Sequence, residues 1–213
     1  MSKKNLAKLL QIGSPTSLAI HHPIVCDAAV CPPALLSELN SFLSISNGMI
    51  AFESALRLFG STSEREDYPV LRWNESSLWR SGYKHLDPNG LFFAEDVFGG
   101  QFLLGEGGVS SVDPETAETK TIASTIEEWA GLILDDYDFY TGHSLAHYWQ
   151  AQHGSLKGRQ RLMPKIPFNL GGKFEIENLY AADCVKSMQF RADLALQLKG
   201  LPDGQKVRLK PLP

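Results

Sequence analysis

The fold is decided by residues 91–104, which read LFFAEDVFGGQFLL. Two apolar runs flank the pair Gly99 and Gly100, and an acidic pair, Glu95 and Asp96, precedes the turn. Short apolar runs that are rich in Phe and Leu and bounded by glycine are typical of buried strands. Glycine also supplies the backbone freedom that a tight reversal needs. The segment therefore predicts a β-hairpin packed on a hydrophobic core.

Length and composition limit the class of protein. The chain has 213 residues, 43% of them hydrophobic, which predicts a single domain over residues 1–213 with a substantial core. A formal net charge of −4 argues against a nucleic-acid partner, because nucleic-acid-binding proteins normally carry a basic excess. No apolar run approaches the roughly 18 residues that a membrane-spanning helix needs, so no membrane partner is expected. Leu6–Ile12 predicts a short helix and not a signal peptide.

The cysteine content indicates a compartment. Cys26, Cys31 and Cys184 form an odd and sparse set, which is typical of a reducing compartment where thiols stay free. A disulfide between Cys26 and Cys31 is the alternative. We expect a cytoplasmic protein.

Apolar spacing and turn signals predict the remaining elements. A helix is expected from Pro32-Pro33 to a left-handed stop at Asn47-Gly48, and another is expected to begin at a capping box at residues 124–127. Two more helices are expected over His143–His153 and from Val185 to Gly200. One or two helical turns are expected at Asn74–Arg80. Strands are expected at Ala55–Phe59, Val109–Val112, Thr119–Ala123, Phe174–Ile176, Asn178–Ala181 and Lys206–Lys210, with loops at Ser61–Pro69 and Arg161–Gly172. Strands joined by hairpins and placed between helices predict an α+β fold, an antiparallel curved sheet with helices packed on it at both ends.

The order of these motifs resembles that of the SUKH superfamily, which includes bacterial immunity proteins and a fungal regulator of cell-wall assembly. The resemblance is carried by Leu39–Leu43 before Asn47-Gly48, Leu56–Gly60, Phe92–Asp96, the Asp113-Pro114-Glu115 hairpin and the Glu128-Trp129 helix. It covers a core of about residues 30–135 and leaves residues 136–213 as a C-terminal extension. The resemblance implies inhibition of a toxin by binding. It carries over no catalytic residue, and it identifies no toxin-contacting residue.

His143 and His147 are the candidate metal ligands. They are four residues apart on a predicted helix, so they would share one face. No Glu follows the first histidine, as a zinc-protease motif would require. A third ligand would have to come from Asp135, Asp136, Asp138 or His153. Solvated or partly packed histidines are the favoured interpretation.

Catalytic motifs are otherwise absent from the sequence. Glu95 and Asp96 could act as paired carboxylates for acid–base or cation chemistry, but charges before a glycine turn are more often solvated or bonded to nearby amides. Gly171-Gly172 lacks the Lys-Ser/Thr pair of a phosphate loop, and no serine lies in a nucleophile elbow. The sequence predicts no catalytic residue, no cofactor and no metal.

The segment Asp135-Asp136-Tyr137-Asp138-Phe139-Tyr140 is the richest local constellation. Tyrosine gives rigid contact area and aspartate steers encounter with a basic protein, so we predict partner binding by Asp135, Asp136, Tyr137, Asp138 and Tyr140. The alternative is a junction between helices, in which the aromatic rings join the core and the aspartates cap the next helix.

These observations predict a non-catalytic immunity-type protein that binds and occludes a cognate toxin. The partner expected is a polymorphic or contact-dependent bacterial toxin. A regulatory scaffold with the same fold and, less favoured, a metal-dependent hydrolase are the alternatives.

Overall fold

The computed structural model describes residues 4–18, 20–62, 68–202 and 204–205 of the chain. Its helices are α1 (Lys4–Ile12), α2 (Pro33–Leu43), α3 (Val70–Trp73), α4 (Ile126–Asp135), α5 (Tyr137–Thr141), α6 (His143–His153) and α7 (Cys184–Leu198). Its strands are β1 (Ser14–Ser17), β2 (Asn47–Ala51), β3 (Leu56–Leu58), β4 (Leu91–Asp96), β5 (Gln101–Gly105), β6 (Gly108–Val112), β7 (Thr119–Ala123), β8 (Gln160–Pro164) and β9 (Leu179–Asp183). Short 3-10 segments cover Arg80–Leu86, Phe168–Leu170 and Ile176–Asn178. The predicted strand Lys206–Lys210 lies outside the described residues.

The main sheet is a seven-stranded antiparallel meander in which β1 to β7 neighbour one another in chain order. Strands β8 and β9 form a separate antiparallel pair. The expected hairpin is confirmed, since Leu91 faces Leu104 and Glu95 faces Gln101 across β4 and β5. The predicted α+β class, with an antiparallel sheet and packed helices, is confirmed.

The main core lies where the helices cover the sheet. Trp129 of α4 is fully buried and meets Phe93 and Phe102 edge-on, with ring centroids 5.0 and 5.3 Å apart. Leu9 of α1 and Met188 of α7 are buried in the same cluster. The core therefore takes residues from both ends of the chain. None of the described helices is both long and apolar enough to cross a membrane.

A smaller cluster attaches the β8–β9 pair and α6 to the end of β4. It contains the buried residues Ala55, Val97, Ala146, Trp149, Leu156, Leu162 and Leu179. The amide of Leu162 donates to the carbonyl of Val97 at 2.8 Å, which joins β8 to the residue that follows β4. This cluster fixes the C-terminal segments beside the central hairpin.

The capping box of α4 exists one residue later than predicted. Thr125 accepts a hydrogen bond from the amide of Glu128 at 3.1 Å, and the Glu128 carboxylate accepts one from the amide of Ser124 at 2.7 Å. Glu127 is thereby free to accept from the amides of Asn5 and Leu6 at 2.7 and 3.1 Å. A residue predicted to cap its own helix instead caps α1 and holds it on α4.

The predicted helix stop at Asn47-Gly48 is wrong. Helix α2 already ends at Leu43, and Asn47 is the first residue of β2. The Asn47 side chain accepts from the amide of Ser61 at 2.8 Å and donates to the Thr62 hydroxyl at 2.7 Å. Because these bonds come from a segment 14 and 15 residues away in sequence, the local pattern could not reveal them.

Three further local predictions are corrected. The Phe174–Ile176 strand is absent from the structure, because Asn178 donates to the carbonyls of Lys173 and Ile166 and folds the segment into a turn. Part of the predicted Arg161–Gly172 loop is β8. The predicted helical turns at Asn74–Arg80 fall between α3 and the 3-10 segment at Arg80–Leu86.

Candidate functional site

A cleft of about 340 Å³ opens beside the turn of the central hairpin. Its lining comes from the β4–β5 turn, from β6 and β7 with the loop between them, from α5, from residues 168–174 and from α7. Sites for small ligands are concave and largely apolar, with volumes of about 300–1,000 Å³. The cleft therefore has the size of a ligand site. It lies between the sheet, with α5, and the C-terminal segments that contain residues 168–174 and α7.

One wall of the cleft is aromatic. Phe168 and Phe174 stack with ring centroids 3.9 Å apart, and Phe98 meets their edges at 5.6 and 5.9 Å. Phe174 is 64% exposed, and Phe139 of α5, which also lines the cleft, is 77% exposed. Large exposed aromatic side chains beside a cleft provide apolar contact area for another molecule.

A buried arginine lies at the base of the cleft. Arg191 is 1% exposed, and its Nε and Nη1 atoms have no hydrogen-bond partner among the described residues. Its Nη1 atom packs against Gly99, where an added Cβ would lie 2.5 Å away. Gly99 also has a φ of +80°, which disfavours a side chain. The glycine turn thus leaves room for the guanidinium.

Asp96 shares the base of the cleft with Arg191. Its Oδ1 atom accepts hydrogen bonds from the amides of Phe98 and Gly100, both at 2.8 Å. Burial raises the pKa of the Asp96 carboxyl to about 7, and the hydrogen bonds and the Arg191 charge offset only part of that effect. The carboxyl group is therefore partly protonated near neutral pH, and among the described residues it forms no ion pair with Arg191.

Hydrogen bonds join two of the segments that line the cleft. The side-chain amide of Asn169 donates to Asp113 at 3.1 Å and to Glu115 at 3.3 Å. The Asn169 backbone amide donates to Glu115 at 2.9 Å, and Asp113 accepts from the Glu115 amide at 2.7 Å. These contacts bind the C-terminal residues 168–170 to the β6–β7 hairpin.

The predicted partner-binding aspartates have different environments. Asp135, Asp136 and Asp138 are all exposed. Asp136 accepts from the amide of Phe139 at 3.1 Å, and Asp138 accepts from the amide of Ser144 at 2.7 Å. The bonds from Ser144 lower the pKa of Asp138. Two of the three aspartates thus cap helices, as the alternative interpretation expects, and they remain available to a partner.

The predicted tyrosines are anchored by packing. Tyr137 is 42% exposed and stacks on Phe52 with ring centroids 5.2 Å apart. Phe52 belongs to a turn of three non-glycine residues with positive φ, residues 52–54. Tyr140 packs against the main core and lines the cleft. The segment therefore presents a preformed surface in which Tyr140 reaches the cleft and Tyr137 does not line it.

The two candidate histidines have other contacts. His147 pairs through Nδ1 with Glu53 at 2.8 Å, whereas the Nδ1 atom of His143 is buried without a hydrogen-bond partner. The His143 ring meets Tyr137 and Phe52 edge-on. Within the described ranges, no group of three His, Cys, Asp or Glu side chains is placed to hold a metal ion. The cysteines among these residues are free thiols.

Glu95 contacts different side chains from its neighbour Asp96. Glu95 is fully buried and pairs with Arg57 at 3.1 Å and with Arg161 at 2.7 Å. Its second oxygen accepts from Gln101 at 3.2 Å. A carboxylate held between two buried guanidiniums is a structural ion pair, so the two acidic residues do not act as one acid–base pair.

Sequence reasoning missed the cleft residues Arg191, Phe168, Asn169 and Phe174. One signal for Arg191 was present, because it follows the apolar Met188 by three residues and precedes Ala192 and Ala195 on the core face of α7. A charged residue on an apolar helix face needs a partner or a ligand. The aromatic wall had no comparable signal, since it forms only when separate segments meet.

The comparisons with known proteins indicate the fold alone. No protein-family model matches the chain, and no curated protein matches it. The crystal structure of Atu4351 from Agrobacterium tumefaciens is similar, with a TM-score of 0.52 and 15% sequence identity, over 90% of this chain and 89% of that chain. At this identity the similarity supports the architecture described above.

Proposed function

We propose that this protein is a non-catalytic, immunity-type protein that neutralises a bacterial toxin by binding it. The observation that carries the proposal is the exposure of Phe139, at 77%, beside a preformed cleft and next to three exposed aspartates. Aromatic anchors in the centre of an interface supply much of the binding energy in protein complexes. The SUKH resemblance supplies the class of partner.

The charge around the cleft favours a basic partner. Asp135, Asp136 and Asp138 are exposed on one side of the cleft, and Asp113 and Lys120 are charged residues of its lining. Complementary charge accelerates encounter and suppresses wrong partners, and its effect weakens as salt rises. A toxin that acts on nucleic acid carries a basic surface of this kind. We place the protein in the cytoplasm, where its free thiols are stable.

A protection assay tests this function. The protein is expressed with the toxin-like products of its neighbouring genes, and survival and complex formation are measured. We expect wild-type protein to protect cells from one of these products and to bind it stoichiometrically. Replacing Phe139 with Ala should weaken the complex at least tenfold, because the ring is the most exposed aromatic group beside the cleft.

A matched variant controls for nonspecific loss of apolar surface. Ile45 is 73% exposed and lies away from the cleft lining, so Ile45→Ala should protect as well as wild type. Equal protection by Phe139→Ala and Ile45→Ala would contradict the proposed surface. Absence of protection against every neighbouring product, with a stable complex to another protein, would favour the regulatory scaffold.

The aspartates provide a second readout. Replacing Asp135, Asp136 and Asp138 together with Asn should slow association and reduce its salt dependence. Asparagine caps helices about as well as aspartate, so the two capping positions should retain most of their stability. Unchanged association kinetics in the triple variant would move the recognition surface elsewhere.

A further inference from the structure

The base of the cleft contains an arginine, Arg191, that forms no ion pair with any of the described side chains. Arg191 is 1% exposed, yet its Nε and Nη1 atoms lack hydrogen-bond partners among the described residues. A buried charge without a partner is strongly unfavourable, and the structure elsewhere avoids this by placing Glu95 between Arg57 and Arg161. A ligand that supplies an acceptor would remove this deficit at Arg191.

The other polar groups at the base are already engaged. Gln101 donates to the Gly99 carbonyl at 2.9 Å and accepts from the Trp73 indole at 2.8 Å. Asp96 uses Oδ1 to accept two backbone amides. The Nε and Nη1 atoms of Arg191 are thus buried donors at the cleft that lack an acceptor among the described residues. Its planar fork matches a carboxylate, which accepts two parallel hydrogen bonds.

The walls limit the rest of the ligand. Phe98, Phe168 and Phe174 offer an apolar face of three rings, and about 340 Å³ suffices for one small ring compound. Asp96 and two further carboxyl groups of the lining, Asp113 and Glu115, would repel a second negative charge. Lys120 also lines the cleft, so three carboxyl groups face two cations there, and this balance favours a monoanion over a phosphate or a dicarboxylate.

We propose that the cleft is a binding site for a small apolar acid, whose single carboxylate pairs with Arg191 while its body packs on Phe98, Phe168 and Phe174. This inference goes beyond toxin neutralisation and does not require a toxin. Partial protonation of Asp96 near neutral pH supports it, because a neutral carboxyl group repels the ligand less and can donate a hydrogen bond to it.

Calorimetric titration with a matched pair of probes tests the site. The acid is 3-phenylpropionate, and the uncharged control is 3-phenylpropionamide, which has nearly the same shape. We expect saturable binding of the acid, at least tenfold tighter than that of the amide. A second pair, the tripeptide Gly-Gly-Phe with a free or an amidated C-terminus, shows whether a free acid or a polypeptide C-terminus is the better source of the carboxylate.

Two variants connect the binding to the residues. Arg191→Met should reduce affinity for 3-phenylpropionate at least tenfold while the melting temperature of the unliganded protein stays the same or rises, which a purely structural arginine would not allow. Phe174→Ala changes a ring that is 64% exposed, so it should fold normally and weaken binding severalfold. If Arg191→Met fails to fold, Phe174→Ala and the acid–amide comparison still decide the question.

Several results would overturn the proposal. These are equal affinity for acid and amide, no saturable binding of either acid at millimolar concentration, or unchanged binding by the Arg191→Met protein. A large fall in the melting temperature of unliganded Arg191→Met would leave the decision to Phe174→Ala and to the acid–amide comparison.

Discussion

Glu95 and Asp96 are neighbours in sequence, but their surroundings differ. Glu95 is enclosed between Arg57 and Arg161, whereas Asp96 lies at the cleft near an arginine with which it forms no ion pair. Successive side chains in a strand point to opposite faces, so adjacent acidic residues can meet different elements. The comparison shows that one carboxylate completes the interior of the protein and the other caps the hairpin turn beside the cleft.

The enclosed cluster follows from strand register. Arg57 of β3 and Gln101 of β5 are the direct cross-strand partners of Glu95 on β4, and both contact its carboxylate. Arg161 of β8 adds a second guanidinium from a separate sheet. Asp96 is not enclosed by guanidiniums in this way, because it is the last residue of β4 and its side chain caps the turn.

The largest expected effect comes from removing the enclosed charge. Glu95→Gln should lower the free energy of unfolding by about 3–5 kcal/mol, because it leaves two buried guanidiniums without their shared carboxylate. Urea denaturation measures this loss. Asp96→Asn is the matched control, since it makes the same chemical change one residue away. A loss below about 1 kcal/mol for Glu95→Gln would erase the distinction between the two carboxylates.

The glycine turn gives an intermediate effect. Gly99→Val should destabilise the protein by about 1–3 kcal/mol, because a β-branched residue is strained at positive φ. The added side chain would also meet Arg191 Nη1, which lies 2.5 Å from an ideal Cβ. In the double variant Gly99→Val/Arg191→Met, the part of the lost stability that comes from the clash with Arg191 should be recovered, and the part that comes from backbone strain should remain. An unchanged melting temperature for Gly99→Val would show that this turn is ordinary.

The smallest effect is a pH dependence at Asp96. Its pKa rises from an ordinary value of 3.8 to about 7 in the folded protein, so between these values the folded state binds more protons than the unfolded state. The Asp96 contribution to stability therefore falls as pH rises from about 4 to about 7 and is constant above that range. Asp96→Asn removes this slope.

Chemical denaturation at pH 4.5 and pH 8 measures that slope as a difference between two proteins. We expect Asp96→Asn to gain about 1–2 kcal/mol relative to wild type between the two pH values, after allowance for solvent screening in the cleft. Other titrating groups contribute equally to both proteins and cancel. A difference that stays constant with pH would mean that Asp96 titrates normally, and the contrast with Glu95 would then rest on ion pairing alone.

Local patterns predicted the elements whose signals lie within a few residues. The hairpin around Gly99-Gly100 and the second hairpin at Asp113-Pro114 are confirmed, and α6 has the predicted bounds His143–His153. Strand β1 and the start of β2 at Asn47 were missed, since they depend on pairing with each other and on the Asn47 contacts to Ser61 and Thr62. Short strands carry little apolar periodicity, so distant partners define them.

The sequence by itself determined the α+β class, the central hairpin and the acidic–aromatic segment, because apolar spacing, glycine turns and charge are properties of neighbouring residues. Only the tertiary structure decided that Glu95 is enclosed, that Arg191 is buried with two unpartnered nitrogens and that Phe98, Phe168 and Phe174 form one wall. Those three properties depend on β3, β4, β8, α7, the β4–β5 turn and residues 168–174 meeting in space. Burial, which sets the strength of a charge or an aromatic contact, exists only after they meet.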